Sequence, residues 1–247
     1  MTNPPSPSGE RRDRLALAAD LPLPDALVLY EKVTPHVGVA KVGLSLFVEH
    51  GPKAVEPFLA KGARVFLDLK LHDIPNTVEL AAARAGALGV SFLTVHASGG
   101  RAMLEGAVRG AREGAAKAGH AAPVILAVTV LTSMDDAALA EVGVPAKADA
   151  QAERLAALAK AAGVGGLVCS AKEVARVRAA VGPDLVLCTP GIRPAGAAAG
   201  DQARVETPGA AIRAGADLLV VGRPIYAAED PVAAAQAILG EMGVGHG

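Results

Sequence analysis

The stretch Val65-Phe66-Leu67-Asp68-Leu69-Lys70-Leu71-His72-Asp73-Ile74-Pro75-Asn76-Thr77 sets two carboxylates, an ammonium and an imidazole into an otherwise apolar run. On a strand, Asp68 and Lys70 stand two apart and project from one face, and Asp73 follows once the strand has ended. Two carboxylates can then flank one ammonium. That arrangement favours the protonated amine, which suits it to donate a proton to a developing anion. The same residue types would also serve a buried structural ion-pair network. Asp73, and a second lysine, Lys41, at the end of the preceding apolar run, tilt the balance toward chemistry.

These residues need a scaffold, and the chain alternates short apolar runs with longer Ala-rich, charge-bearing segments. The periodicity predicts strands at 15–19, 39–42, 64–69, 92–95, 124–128, 166–169, 185–189 and 218–221. Helices are expected at 25–34, 77–88, 101–118, 148–162, 171–181, 207–214 and 231–239. Eight β/α repeats within 247 residues match a single-domain α/β fold, the (β/α)8 TIM barrel, over 14–247. Periodicity alone leaves a doubly wound open sheet as the alternative. Residues 1–13, rich in Pro, Ser and charge, read as a flexible leader.

In either architecture ligands bind at the carboxyl ends of the strands. Those ends carry Asp20, Lys41, Asp68 with Lys70 and Asp73, His96, Thr132, the run 190–193, and Gly222 with Arg223. Charges at the end of an apolar run are costly to bury unless they pair, and alternating Asp and Lys meets that demand. Gly222-Arg223 supplies a turn glycine and a guanidinium, the parts that hold a phosphate. His96 and His72 are expected as rim or packing residues, and Arg84, Arg109, Arg112 and Arg178 on solvated helix faces.

Composition excludes other classes. Lys plus Arg number 24 against 25 Asp plus Glu, which gives no basic footprint for a polyanion. With two Tyr, four Phe and no Trp, the chain also lacks stacking platforms for single-stranded nucleic acid. No nucleic-acid partner is expected. Cys169 and Cys188 stand in apolar segments without metal or disulfide spacing and read as reduced core thiols. Neither an export signal nor an uncharged apolar run of membrane-spanning length is visible, so a cytoplasmic protein is expected, with no membrane partner.

The run from Asp68 to Val78 resembles the signature of the orotidine 5'-phosphate decarboxylase family. The likeness extends in order through Lys41-Val42-Gly43-Leu44, Thr94-Val95-His96-Ala97, Leu131-Thr132-Ser133, Thr189-Pro190-Gly191-Ile192-Arg193-Pro194, Gly200-Asp201-Gln202 and Val221-Gly222-Arg223-Pro224-Ile225. This resemblance implies cofactor-independent decarboxylation of orotidine 5'-phosphate to UMP in pyrimidine biosynthesis, with no metal. It matches Asp68 and Asp73 to the family's active-site aspartates and Lys70 to the catalytic lysine. Lys41 and Asp20 correspond to the pair that binds the ribose, and Thr132 to a residue near the pyrimidine. Arg193, Gln202, Gly222 and Arg223 correspond to the phosphate-binding set, the first two bracketing a loop that closes over the nucleotide. A homodimer is implied, with Asp73 and Thr77 reaching into the neighbouring site. One departure is local: the first strand ends Leu17-Ala18-Ala19-Asp20 where the family has Ala-Leu-Asp.

Two rivals stay open. Mg-dependent sugar-phosphate lyases of the same suprafamily share the spacing of Asp68, Lys70 and Asp73, but the continuation Ile74-Pro75-Asn76-Thr77 and the lack of a further strand-end Glu oppose that reading. A non-catalytic nucleotide-phosphate sensor is opposed by Asp68 beside Lys70, because a binding module gains nothing from repelling its ligand's carboxylate.

Overall fold

The computed structural model describes residues 10–194 and 206–243. Gln202, and with it most of the expected closing loop, lies outside the described residues. Eight strands form the framework: β1 (Leu15–Ala18), β2 (Val39–Gly43), β3 (Arg64–Leu71), β4 (Phe92–His96), β5 (Val124–Val128), β6 (Gly166–Val168), β7 (Val186–Thr189) and β8 (Leu218–Val221). Each pairs in parallel with the next and β8 returns to β1, where Leu17 is in register with both Ala40 and Val221. The barrel is closed, which rules out the open sheet.

The outer helices are α1 (Leu23–Val33), α2 (Leu44–His50), α3 (Glu56–Ala60), α4 (Pro75–Ala87), α5 (Arg101–Ala118), α6 (Asp136–Glu141), α7 (Ala148–Ala161), α8 (Val174–Val181), α9 (Pro208–Arg213), α10 (Arg223–Tyr226) and α11 (Pro231–Gly243). The expected strands and helices are all present, with boundaries shifted by up to a few residues. Sequence periodicity missed α2, α3, α6 and α10, which are too short to show a repeating apolar face. Among the described residues no helix is long and apolar enough to cross a membrane.

Strands covered on both faces read as continuous apolar runs, and the pleat divides them into two cores. Leu15, Leu17, Val65, Leu67, Leu93 and Val95 point out to the helices. Ala16, Ala18, Val39, Phe66, Phe92, Leu126, Val128, Val186, Cys188 and Val220 fill the barrel. At the amino-terminal end of the strands Arg64 lies over the Phe92 ring, 5.0 Å from its centroid, and burial pulls its pKa down.

Arg178 is not the solvated residue expected. Its guanidinium donates to the carbonyls of Gly182, Leu185 and Gly215 and pairs with Asp217 at 2.5 Å. Asp217 also accepts the Leu187 N–H, so this pair ties the end of α8 to β7 and to the turn before β8. An amphipathic pattern cannot reveal that role, because the partners are mostly backbone carbonyls, which carry no side-chain signal, and two of the partners, Gly215 and Asp217, lie far along the chain.

Helices α4 and α5 pack backbone to backbone. A Cβ added at Gly114 would overlap the Ala83 carbonyl, and one at Gly110 that of Glu79. Gly114→Ala is therefore expected to destabilise the fold by about 1–3 kcal/mol, overriding the helix preference for alanine of about 1 kcal/mol. Gly240 of α11 is exposed, with open space around its Cβ position, and Gly240→Ala should not destabilise. Thermal unfolding of the two variants checks the contrast, and equal melting temperatures would sink it.

Candidate active site

The inward parity of each strand delivers a polar residue to the barrel mouth. Ala18 leads to Asp20, Val39 to Lys41, Phe66 to Asp68, Phe92 to Thr94, and Val220 to Gly222. Asp20, Lys41, Asp68, Lys70, Thr132, Arg193, Gly222 and Arg223 line one cavity of about 270 Å³ over an apolar floor that includes Phe66, Val128, Val168, Cys188 and Val220. Eight of the expected site residues thus share one space.

The charges alternate around the mouth. Lys41 Nζ lies 3.4 Å from Asp20 Oδ1 and 3.8 Å from Asp68 Oδ2. Lys70 Nζ donates to both Asp68 oxygens, at 2.8 and 2.9 Å. Lys41 and Asp68 are 10% and 13% exposed, whereas the Asp20 side chain is 61% exposed. The Lys70–Asp68–Lys41 segment is thus the electrostatic centre, and Asp20 its wet outer end.

Backbone geometry sets the Lys70 position. β3 runs from Leu67 to Leu71 while β4 advances from Leu93 to Val95, so β3 bulges over Asp68, Leu69 and Lys70. Lys70 adopts φ 49°, a left-handed conformation that costs a residue with a Cβ about 1–2 kcal/mol. The bulge takes the Lys70 N–H off the ladder, and the Thr94 hydroxyl accepts it at 2.9 Å. Thr94 also donates to Asp68 Oδ1 at 2.9 Å. Sequence reasoning did not assign Thr94 to the site. The available signal was its parity with Phe92 and the position of a hydroxyl-bearing residue in the strand facing Asp68.

Asp73 and Thr77 are not brought to this cavity within the chain. Both are exposed, and the Asp73 carboxylate accepts the N–H of Ile74 at 2.6 Å. Two exposed apolar side chains, Ile74 and Leu80, lie on the same segment. Across the mouth, the Arg193 guanidinium donates to the Ile192 carbonyl, and the Arg193 backbone N–H donates to the Glu206 carbonyl. Gly191 has φ 75°, which favours glycine. At Gly222 an added Cβ would come 3.0 Å from the Ala18 carbonyl, so a side chain would crowd the turn into α10. Tyr226, one turn beyond Arg223, lines the cavity and was not foreseen, because α10 itself was not.

His96 stacks beside His72 with ring centroids 5.4 Å apart. Its pKa is lowered, first by burial and then by His72 and Lys70, which outweigh the opposing Asp68 charge, so it stays a neutral rim residue at neutral pH. The Cys188 thiol under the cavity is pushed up by burial and by Asp68, and burial raises Cys169 to about 12. Both are buried, unpaired and unreactive, as expected of core thiols.

A family model described as Orotidine 5'-phosphate decarboxylase / HUMPS matches residues 13–238. The chain belongs to this family. It is 56% identical over 227 residues to an orotidine 5'-phosphate decarboxylase of Anaeromyxobacter sp. (strain K), covering 92% of this chain and 96% of that one. It is 51% identical over 233 residues to the decarboxylase of Moorella thermoacetica, covering 94% and 92%. Among solved structures, the orotidine 5'-phosphate decarboxylase of Lactobacillus acidophilus superposes with a TM-score of 0.81 at 38% identity, over 94% of this chain and all of that one. An uncharacterized conserved protein from Geobacillus kaustophilus gives 0.79 at 32% identity, over 93% and 100%.

Proposed function

We propose that this protein decarboxylates orotidine 5'-phosphate to UMP in de novo pyrimidine biosynthesis, without a cofactor, as a cytoplasmic homodimer. The observation that carries the mechanism is the Lys70 ammonium held against both oxygens of Asp68 at the end of β3. Breaking the bond between C6 and its carboxylate releases CO2 and leaves an electron pair on C6, with no adjacent carbonyl to accept it. Fixed charge must then favour the transition state over the ground state. Asp68, beside the substrate carboxylate, repels it, and the repulsion falls as CO2 departs. Lys70 attracts the charge developing on C6 and delivers its proton there, and solvent restores that proton.

The remaining residues bind and orient. Lys41 and Asp20 take the ribose hydroxyls, and Thr132 sits by the pyrimidine. Arg193, Gln202, Gly222 and Arg223 hold the phosphate, whose binding energy can be spent on closing the loop between Arg193 and Gln202. Asp73 and Thr77 of each chain complete the neighbouring site, with Asp73 supplying the second carboxylate beside Lys70. An acidic metal cage is a poor match for the cavity: its carboxylates, Asp20 and Asp68, each face a lysine ammonium.

The deciding experiment follows the ultraviolet absorbance of orotidine 5'-phosphate with purified protein in EDTA. Conversion to UMP that persists in the chelator is expected. No turnover of this substrate would favour the rivals: Mg²⁺-dependent turnover of a sugar phosphate would then point to the lyase reading, and UMP binding without any turnover to a sensor.

A further inference from the structure

We propose that Thr94 is a positioning residue for decarboxylation, its hydroxyl locking Asp68 and Lys70 into the geometry the reaction needs. The inference rests on the decarboxylase reading and adds to it a residue that does not line the cavity. Thr94 is fully buried, on the inward face of β4 directly opposite the β3 bulge. The direction of its hydrogen bonds follows from chemistry. A backbone N–H can only donate, so the Thr94 oxygen accepts from Lys70 N. The single hydroxyl proton is then committed to Asp68 Oδ1.

One side chain therefore does two jobs at once. It gives the Lys70 N–H an acceptor where the bulge has removed the ladder carbonyl, which supports the left-handed backbone that aims the side chain back toward Asp68. It also fixes the plane of the Asp68 carboxylate, which has Lys70 Nζ on both oxygens and Lys41 Nζ 3.8 Å from Oδ2. Without the hydroxyl, Asp68 can rotate about its last torsion and the Lys70 backbone loses its anchor. Both moving groups belong to the reacting end of the site, while the phosphate groups follow β7 and β8. The effect should therefore fall on kcat and spare nucleotide affinity, a split that general destabilisation of the barrel would not produce.

Thr94→Val keeps the shape and removes the hydrogen bonds; Thr94→Ser restores them. With orotidine 5'-phosphate as substrate and UMP as the binding probe, Thr94→Val should lower kcat about 100-fold, the scale set by misplacing a reacting group by about 1 Å. Its dissociation constant for UMP should stay within about threefold, and Thr94→Ser should recover kcat to within about tenfold of wild type. A folded Thr94→Val with wild-type kcat, a loss confined to KM, or a folded Thr94→Ser as impaired as the valine variant would each overturn the role. Should Thr94→Val not fold, Thr94→Cys, similar in size with a weaker hydrogen-bonding group, decides: a clear fall in kcat supports the role and an unchanged kcat overturns it. Wild-type protein assayed alongside separates the two levels, because absent wild-type turnover sinks the decarboxylase reading itself and this role with it.

Discussion

Lys70→Ala should lower kcat by about 10⁵-fold and leave the barrel folded. A positioned general acid contributes about 10²–10⁴-fold and a preorganised charge aimed at a developing anion about 10²–10³-fold, and in the proposed mechanism one ammonium supplies both. The fold should survive for three reasons. Asp68 keeps the Thr94 hydroxyl and the nearby Lys41 ammonium, so its charge is not stranded. The side chain of Lys70 is 30% exposed, and water can replace part of what it gave Asp68. Alanine at φ 49° carries the same Cβ penalty as lysine, which leaves the backbone cost of the bulge unchanged. Single-turnover kinetics with thermal unfolding measure both halves. Near-normal turnover would remove Lys70 as the proton donor, and a collapsed fold would make its main role structural.

Mixing two inactive proteins, Lys70→Ala and Asp73→Ala, after joint unfolding and refolding should restore about a quarter of wild-type activity. In the proposed homodimer, random pairing makes about half the dimers mixed, and each mixed dimer would rebuild one intact site from the Lys70 of one chain and the Asp73 of the other. The observation behind this is that Asp73 is exposed and outside the cavity of its own chain, on a segment that also exposes Ile74 and Leu80. An apolar stretch beside an unused carboxylate fits a surface that a second copy covers. No recovery above the two parents would mean that each site is built from one chain.

Much of this molecule is legible without coordinates. The strands are short apolar runs set between amphipathic helices, so the eight can be counted along the chain, and Asp20, Lys41, Asp68 and Gly222 stand out at their carboxyl ends; which residues of each run face inward shows only in the closed barrel. Arg178 shows where local reading fails: it looks like a surface arginine because its acceptors are backbone carbonyls at Gly182, Leu185 and Gly215. Helices α2, α3, α6 and α10 escaped because one or two turns do not establish a period.

The site divides along the same line. Sequence by itself determined which charges stand at the mouth, their alternation, and the family whose chemistry they match, since residue type and spacing are properties of the chain. Tertiary structure alone decided that β3 bulges against β4, that Lys70 turns left-handed to face Asp68, that Thr94 takes up the N–H so released, and that Asp73 stays outside. Those outcomes depend on register between strands and on barrel closure, where hydrogen bonds left unmade in one strand must be met by whatever the neighbouring strand places opposite.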